Sequence, residues 1–187
     1  MNSLLDVKDL FYNKNPMLIM SYLTRQGRQY PAYGSKIAED LGISQSGTSI
    51  ILKQFRNMGI LTSENIGRTL VYSMNWNNPL VRGFRIFENV LELNQLVEEI
   101  KDLCRKIILF GSCAKGEDTD NSDIDLFILV DDDNKDIVRS RISEYAIDRP
   151  MNPIMINPIE QIEFEENDKV FWNEINKGIV LWGGSDE

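Results

Sequence analysis

Two rhythms of apolar residues run through this chain, and they change over near residue 103. In the first stretch apolar positions recur at helical spacing. Pro16 can open a helix that carries Leu18, Ile19, Tyr22 and Leu23 on one side, and Gly27 can stop it. A turn with Pro31 and Gly34 leads to Ser35, which can cap a short helix whose apolar face includes Ile37, Ala38 and Leu41. Gly42-Ile43-Ser44 is a tight connection, and Ser44 can cap a third helix from about Gln45 to Met58, with Ile51, Leu52 and Phe55 as its buried stripe. Leu61 to Ile66 and Thr69 to Met74 flank Gly67-Arg68 and read as a β-hairpin with a basic tip. From Pro79 to about Leu103, the residues Leu80, Phe84, Phe87, Leu91 and Ile100 return to helical spacing without further proline, which predicts one helix or two. Such a segment either packs between domains or forms a dimer seam.

After that the rhythm shortens. Lys106 to Phe110 is an apolar run that stops at Gly111, and Ile124 with Leu126 to Val130 is another that ends in Asp131-Asp132-Asp133; both read as buried strands. Asn152 to Asn157 is a third candidate strand. Pro158 then opens a helix, Asp168 to Lys177 reads as another helix capped by Gly178, and Ile179 to Trp182 closes the chain as a strand.

Composition narrows the chemistry. The chain has 187 residues, 42% apolar and 26% charged, which suits a packed globular protein of one or two domains. No apolar run approaches the ~18 residues of a membrane span, and the first ten residues lack a signal pattern, so a cytoplasmic protein with no membrane partner is expected. There is no histidine and only Cys104 and Cys113, which excludes a structural zinc site and a Ser-His-Asp triad. Any metal here takes oxygen ligands. The net charge of −9 is unevenly spread: residues 1–76 carry eight Lys/Arg against five Asp/Glu, a balance of +3, and residues 77–187 carry twelve against twenty-four, a balance of −12.

The acidic half holds the candidate chemistry. Asp123 and Asp125 are two apart at the start of a strand, so both carboxylates point to one face. At about 5 Å and an effective dielectric near 20, they repel by roughly 3 kcal/mol, and a cation between them relieves that cost. Oxygen-only ligation favours Mg²⁺ or Mn²⁺, which characteristically joins carboxylates to phosphate oxygens. Gly111-Ser112 supplies the complement, a turn without a side chain that lets backbone N–H groups approach phosphate, with the Ser112 hydroxyl as a further donor. Asp118 and Asp120 fall to an exposed loop, and Asp131 to Asp133 to a solvated strand exit.

Leu109-Phe110-Gly111-Ser112, ten further residues and then Asp123-Ile124-Asp125-Leu126, with Ala114, Gly116 and Ser122 also in place, resemble the signature of the DNA polymerase β nucleotidyltransferase superfamily, particularly its minimal members. The resemblance covers about residues 95–187. It implies a nucleoside triphosphate as substrate or ligand, held by Gly111 and Ser112, with Asp123 and Asp125 as catalytic metal ligands. It implies in-line attack of a hydroxyl of a protein, RNA or small molecule on the α-phosphate, with pyrophosphate leaving. It also implies a third carboxylate on the neighbouring strand, and Asn152 to Asn157 contains none. Glu160 and Glu163 lie just beyond, where an acidic first helical turn is the simpler reading.

Residues 16–76 resemble the winged helix-turn-helix domains of bacterial and archaeal transcription regulators, through Ile43-Ser44-Gln45-Ser46-Gly47-Thr48-Ser49, Met58-Gly59-Ile60-Leu61 and Gly67-Arg68-Thr69-Leu70-Val71-Tyr72. That resemblance implies DNA contacts from Gln45, Ser46, Ser49, Lys53 and Arg68, with a homodimer presenting two recognition helices. The expected fold is α+β: a winged helix-turn-helix domain over 1–78, a connecting helix over 79–103 and a minimal nucleotidyltransferase domain with a mixed α/β sheet over 104–187. Two functions follow, an active metal-dependent nucleotidyltransferase and a catalytically inactive regulator that senses nucleotide. The relatives also suggest an antitoxin-like role beside a small helical toxin-like protein.

Overall fold

The computed structural model describes residues 11–25, 32–119 and 121–183, so the expectations for Gly27, Pro31 and Asp120 lie outside the described residues. The chain divides into two compact units at Phe84/Arg85. No helix among the described residues is long and apolar enough to cross a membrane.

In the first unit, helix α1 (Lys14–Arg25) buries Ile19, Met20 and Leu23. Strand β1 (Ala32–Tyr33) leads directly into α2 (Gly34–Leu41). Ser35 is not the cap of this helix. Tyr33 is extended and paired with Val71, so the chain turns helical at Gly34 and leaves Ser35 inside the first turn. Gly42, at φ 63°, ends α2 in the left-handed conformation that glycine adopts without strain. Ser44 does cap α3 (Gln45–Asn57): its hydroxyl accepts from the Gly47 N–H at 3.2 Å. Strands β2 (Leu61–Ile66) and β3 (Thr69–Met74) pair antiparallel around the two-residue loop Gly67-Arg68, and Gly67 supplies the positive φ that this loop needs. The sheet order is β1-β3-β2. Ile19, Met20, Leu23, Ile37, Ile51, Leu52, Phe55, Ile60, Leu61, Tyr72 and Val81 form the core.

The predicted connector is one helix, α4 (Pro79–Ile100), followed by a 3₁₀ turn at Lys101–Leu103. The division at Phe84/Arg85 falls inside it. Its two ends serve different cores: Val81 packs in the first unit, and Leu93, Leu96, Val97 and Ile100 in the second.

The second unit is a four-stranded mixed sheet in the order β6-β5-β4-β7. Its strands are β4 (Cys104–Phe110), β5 (Ile124–Val130), β6 (Met151–Ile156) and β7 (Ile179–Trp182). β4 is antiparallel to β5 and β7, and β6 runs parallel to β5 at the sheet edge, where Pro153 is tolerated. The short helix α5 (Gly111–Lys115) follows β4, and α6 (Asp132–Glu144) connects β5 towards β6. Helices α7 (Pro158–Asn167) and α8 (Lys169–Asn176) precede β7.

Strand alternation sorts the core onto two faces. Ile107, Leu109, Ile124, Leu126, Ile128 and Val130 pack with α4 and α6, while Ile108, Phe110 and Phe127 pack with Phe164, Phe171, Trp172 and Ile175 of α7 and α8. Phe127 meets Trp172 edge-on at 5.3 Å between ring centroids.

The triad Asp131 to Asp133 is therefore a helix start, not a free strand exit. Asp132 and Asp133 occupy the first turn of α6, where negative charge is favoured, and Asp131 pairs with Arg105 at 2.9 Å. Gly178 is no left-handed cap either. A Cβ at that position would collide with the Leu109 carbonyl, so glycine is needed for close packing.

The larger correction concerns Asp118. It is fully buried rather than in an exposed loop, with a relative exposure of 0%. Its Oδ2 accepts from Arg85 Nη2 at 2.9 Å and from Arg149 Nη1 at 2.8 Å, and its Oδ1 accepts from Asn89 Nδ2 at 2.9 Å. Arg149 also reaches the Asn89 Oδ1 at 2.9 Å and Glu92 at 2.8 Å. Burial is sustainable because nearly every charge in the group has an opposite partner and directed hydrogen bonds. Asp118→Ala would take from both buried guanidinium groups the carboxylate they share, leaving Glu88 near Arg85 and Glu92 on Arg149. Urea unfolding of the full chain should show a loss of about 3–5 kcal/mol for Asp118→Ala.

Candidate active site

Three strands deliver the site residues to one end of the sheet. Phe110, the last residue of β4, pairs with Asp125 of β5, and Asp125 pairs in turn with Asn152 of β6. Neighbours in such a row share a face, so Asp125 and Asn152 point the same way as Phe127 and Ile154 one step further along. Asp123 lies just before β5 and is exposed, while Asp125 is half-buried.

Gly111 follows Phe110 directly. Its φ is 68°, and a Cβ there would run into the carboxylate of Asp125. Two independent demands therefore select glycine: a left-handed backbone and the close approach of an acidic side chain. The Gly111-Ser112 turn and the aspartate pair, predicted as two halves of one site, do come together.

Behind the turn, Cys113 is buried and its Sγ lies 3.5 Å from the Asp123 carbonyl oxygen. Burial pushes the thiol up to about 11, so it stays protonated at neutral pH and acts as packing. Asn89 Nδ2 donates to the Cys113 carbonyl at 3.0 Å, which joins the turn to the buried Asp118 group. At the outer end of α5, Lys115 pairs with Glu174 of α8 at 3.0 Å. Hydrogen bonds from Lys177 and Lys115 hold Glu174 down to about 2.

Asn152 Nδ2 donates to Asp123 Oδ2 at 2.9 Å, and the strand register sets the same residue beside Asp125. Sequence reasoning found this strand but saw in it only a missing acid. The register places the amide of Asn152 at the position beside both aspartates. Glu160 does not replace a carboxylate there. Its side chain accepts from the Asn157 backbone N–H at 2.8 Å in a capping box and pairs with Lys135 at 2.7 Å. Glu163 is exposed on α7. Among the described residues, no three His, Cys, Asp or Glu side chains gather as a metal site.

The residues expected to meet DNA lie in the first unit. Gln45, Ser46, Ser49 and Lys53 are exposed on α3, and Arg68 is exposed in the β2–β3 loop. Ile50 stands among them with 60% of its surface exposed.

Desolvation by burial is the main cause that raises the pKa of Asp125, with the charge of Asp123 adding to it and the hydrogen bond from Asn152 opposing it. The folded chain thus holds this proton more tightly than the unfolded chain does. Its contribution to stability is fully present below the ordinary aspartate range and is lost as pH rises through the folded-state value. In metal-free protein at neutral pH the ionised carboxylate is a burden. Asp125→Asn should therefore melt higher than the parent at pH 7 in chelator, and thermal scans should show that advantage shrinking as the pH falls towards about 4 and gone below it.

Two comparisons with known proteins agree with this geometry. The family model described as polymerase beta, nucleotidyltransferase, matches residues 88–187, a little over half of the chain. The chain is also 33% identical, over 97 residues, to the protein named "Putative protein adenylyltransferase MJ0604" of Methanocaldococcus jannaschii, an alignment that covers 48% of this chain and 90% of that relative. With the paired aspartates and the glycine-serine turn assembled at one sheet end inside the matched region, the chain belongs to the polymerase beta nucleotidyltransferase family.

Proposed function

We propose that the second unit binds a nucleoside triphosphate with a divalent cation and transfers its nucleoside monophosphate to a hydroxyl on a protein. The observation that carries this reading is the meeting of the Gly111 backbone with the Asp125 carboxylate, at a left-handed position that favours glycine. Protein as the acceptor class and ATP as the donor are taken from the name of the relative, a protein adenylyltransferase.

The donor set suits a cation bound through phosphate. Asp123 and Asp125 offer acceptor-only oxygens on one face, and Mg²⁺ or Mn²⁺ is commonly held by one or two carboxylates together with substrate phosphates. When bound, the cation would draw off negative charge as pyrophosphate departs. Gly111 lets the Asp125 carboxylate lie against the turn, and the Ser112 hydroxyl is a donor at the same turn. The acceptor oxygen forms a bond to the α-phosphorus, the bond from that phosphorus to the bridging oxygen breaks, pyrophosphate takes the electron pair, and the hydroxyl proton passes to solvent. Asn152 cannot receive that proton, because an amide is not a base at neutral pH.

Incubation of the full chain with α-phosphate-labelled ATP and Mg²⁺ or Mn²⁺ in a lysate of the source cells should place label on a protease-sensitive species. Asp123→Asn should reduce it by about 100-fold or more. Unlabelled lysate alongside intact nucleotide binding would instead favour a nucleotide-sensing regulator without turnover.

A second reading concerns the first unit, for which we propose DNA binding by a winged helix. The exposed polar row on α3, with Arg68 on the hairpin loop, supports it. Gln45, Ser46 and Ser49 suit base edges or phosphates, Lys53 and Arg68 suit phosphates, and Ile50 suits a thymine methyl. With so few cations per chain, affinity should be modest and steeply salt-dependent. Fluorescence anisotropy on the chain's own upstream DNA should show Lys53→Ala or Arg68→Ala lowering the salt slope by about one each.

A further inference from the structure

We propose that this site takes one divalent cation with its triphosphate rather than two, and that Asn152 sets that number. The proposal rests on the nucleotide-binding reading above and deepens it.

The placement of Asn152 is dictated by the sheet. β6 runs parallel beside β5 and pairs Asn152 with Asp125, so its side chain emerges on the aspartate face. From there its Nδ2 donates to Asp123 Oδ2 at 2.9 Å, with Asp125 beside it across the strand pair. An acid at this position would stand as a third carboxylate against the other two. The residue present is a neutral amide.

Three consequences follow from that substitution of amide for acid. A carboxylate only accepts, so the hydrogen bond turns the Asn152 nitrogen, and not its oxygen, towards Asp123. That hydrogen bond engages an Asp123 oxygen that would otherwise be available to a further cation. The amide also adds no negative charge, so a second divalent ion would lie beside the first with no further anion from the protein to balance it.

Four other acids among the described residues of this unit are already engaged. Asp118 is committed to Arg85 and Arg149, Glu160 to its capping box and Lys135, Asp132 to Lys135 and Asn157, and Glu174 to Lys115 and Lys177. Among the described residues, Asp123 and Asp125 then remain to join the phosphates, which is the ligand set of one ion.

The test is a count of bound Mn²⁺. The full chain would be equilibrated with saturating α,β-methylene-ATP, a donor that cannot react at the α-phosphate, and Mn²⁺ would be followed by electron paramagnetic resonance and equilibrium dialysis. One Mn²⁺ per wild-type chain is expected, without the spin-coupled signal of a metal pair. Asn152→Asp should bind two and develop that signal, and Asn152→Ala should stay at one. Metal-free Asn152→Asp should also melt lower than wild type, because three carboxylates crowd together, and should gain more than wild type on addition of Mn²⁺.

Two Mn²⁺ in the wild type would overturn the proposal. A count of one in folded Asn152→Asp would overturn the role given to Asn152. If the analogue fails to bind the wild type at all, by calorimetry with or without Mn²⁺, the nucleotide reading falls and the proposal falls with it. Bound analogue with two ions would sink the proposal alone.

Discussion

The site depends on a carboxylate that never touches it. Asp118, sealed from solvent, is gripped by Arg85 and Asn89 of α4 and by Arg149 at the approach to β6. The segment that contains it runs from the Gly111-Ser112 turn to Asp123, so fixing its middle limits where both ends can be. Asn89 bonds the Cys113 carbonyl as well, and Arg149 lies three residues ahead of Asn152. One ion cluster thereby references the turn, the aspartate strand and the edge strand to the same helix. Buried charge is costly, and full pairing converts that cost into a demand for one arrangement.

Local patterns were legible where the causes are local. The cap at Ser44, the tight connection at Gly42, the Gly67 loop and the apolar runs of β4 and β5 each depend on a few adjacent residues. Helix α6 escaped notice because only Val138 and Ile142 of its thirteen residues are buried, too sparse a stripe to stand out. Ser35 misled because strand pairing through Tyr33 decided where α2 begins.

The site was legible in part for the same reason. Asp123, Asp125 and Gly111 advertise themselves through spacing and residue type. Asp118 does not: its partners are 33 and 31 residues away, and a polar loop in sequence looks solvated until those partners close over it. Asn152 is a matter of register. Nothing in its own neighbourhood shows that it pairs with Asp125 across a parallel strand boundary.

Asn152 is exposed and sits on the outermost strand of the sheet, and none of the three hydrophobic clusters includes it. Asparagine and aspartate have nearly the same shape and differ by a single base in the genetic code. A lineage can therefore exchange amide for acid here and leave the scaffold as it was. The charge at this sheet end can thus change by one base, while the buried ion cluster that holds the architecture tolerates no such exchange without losing its pairing.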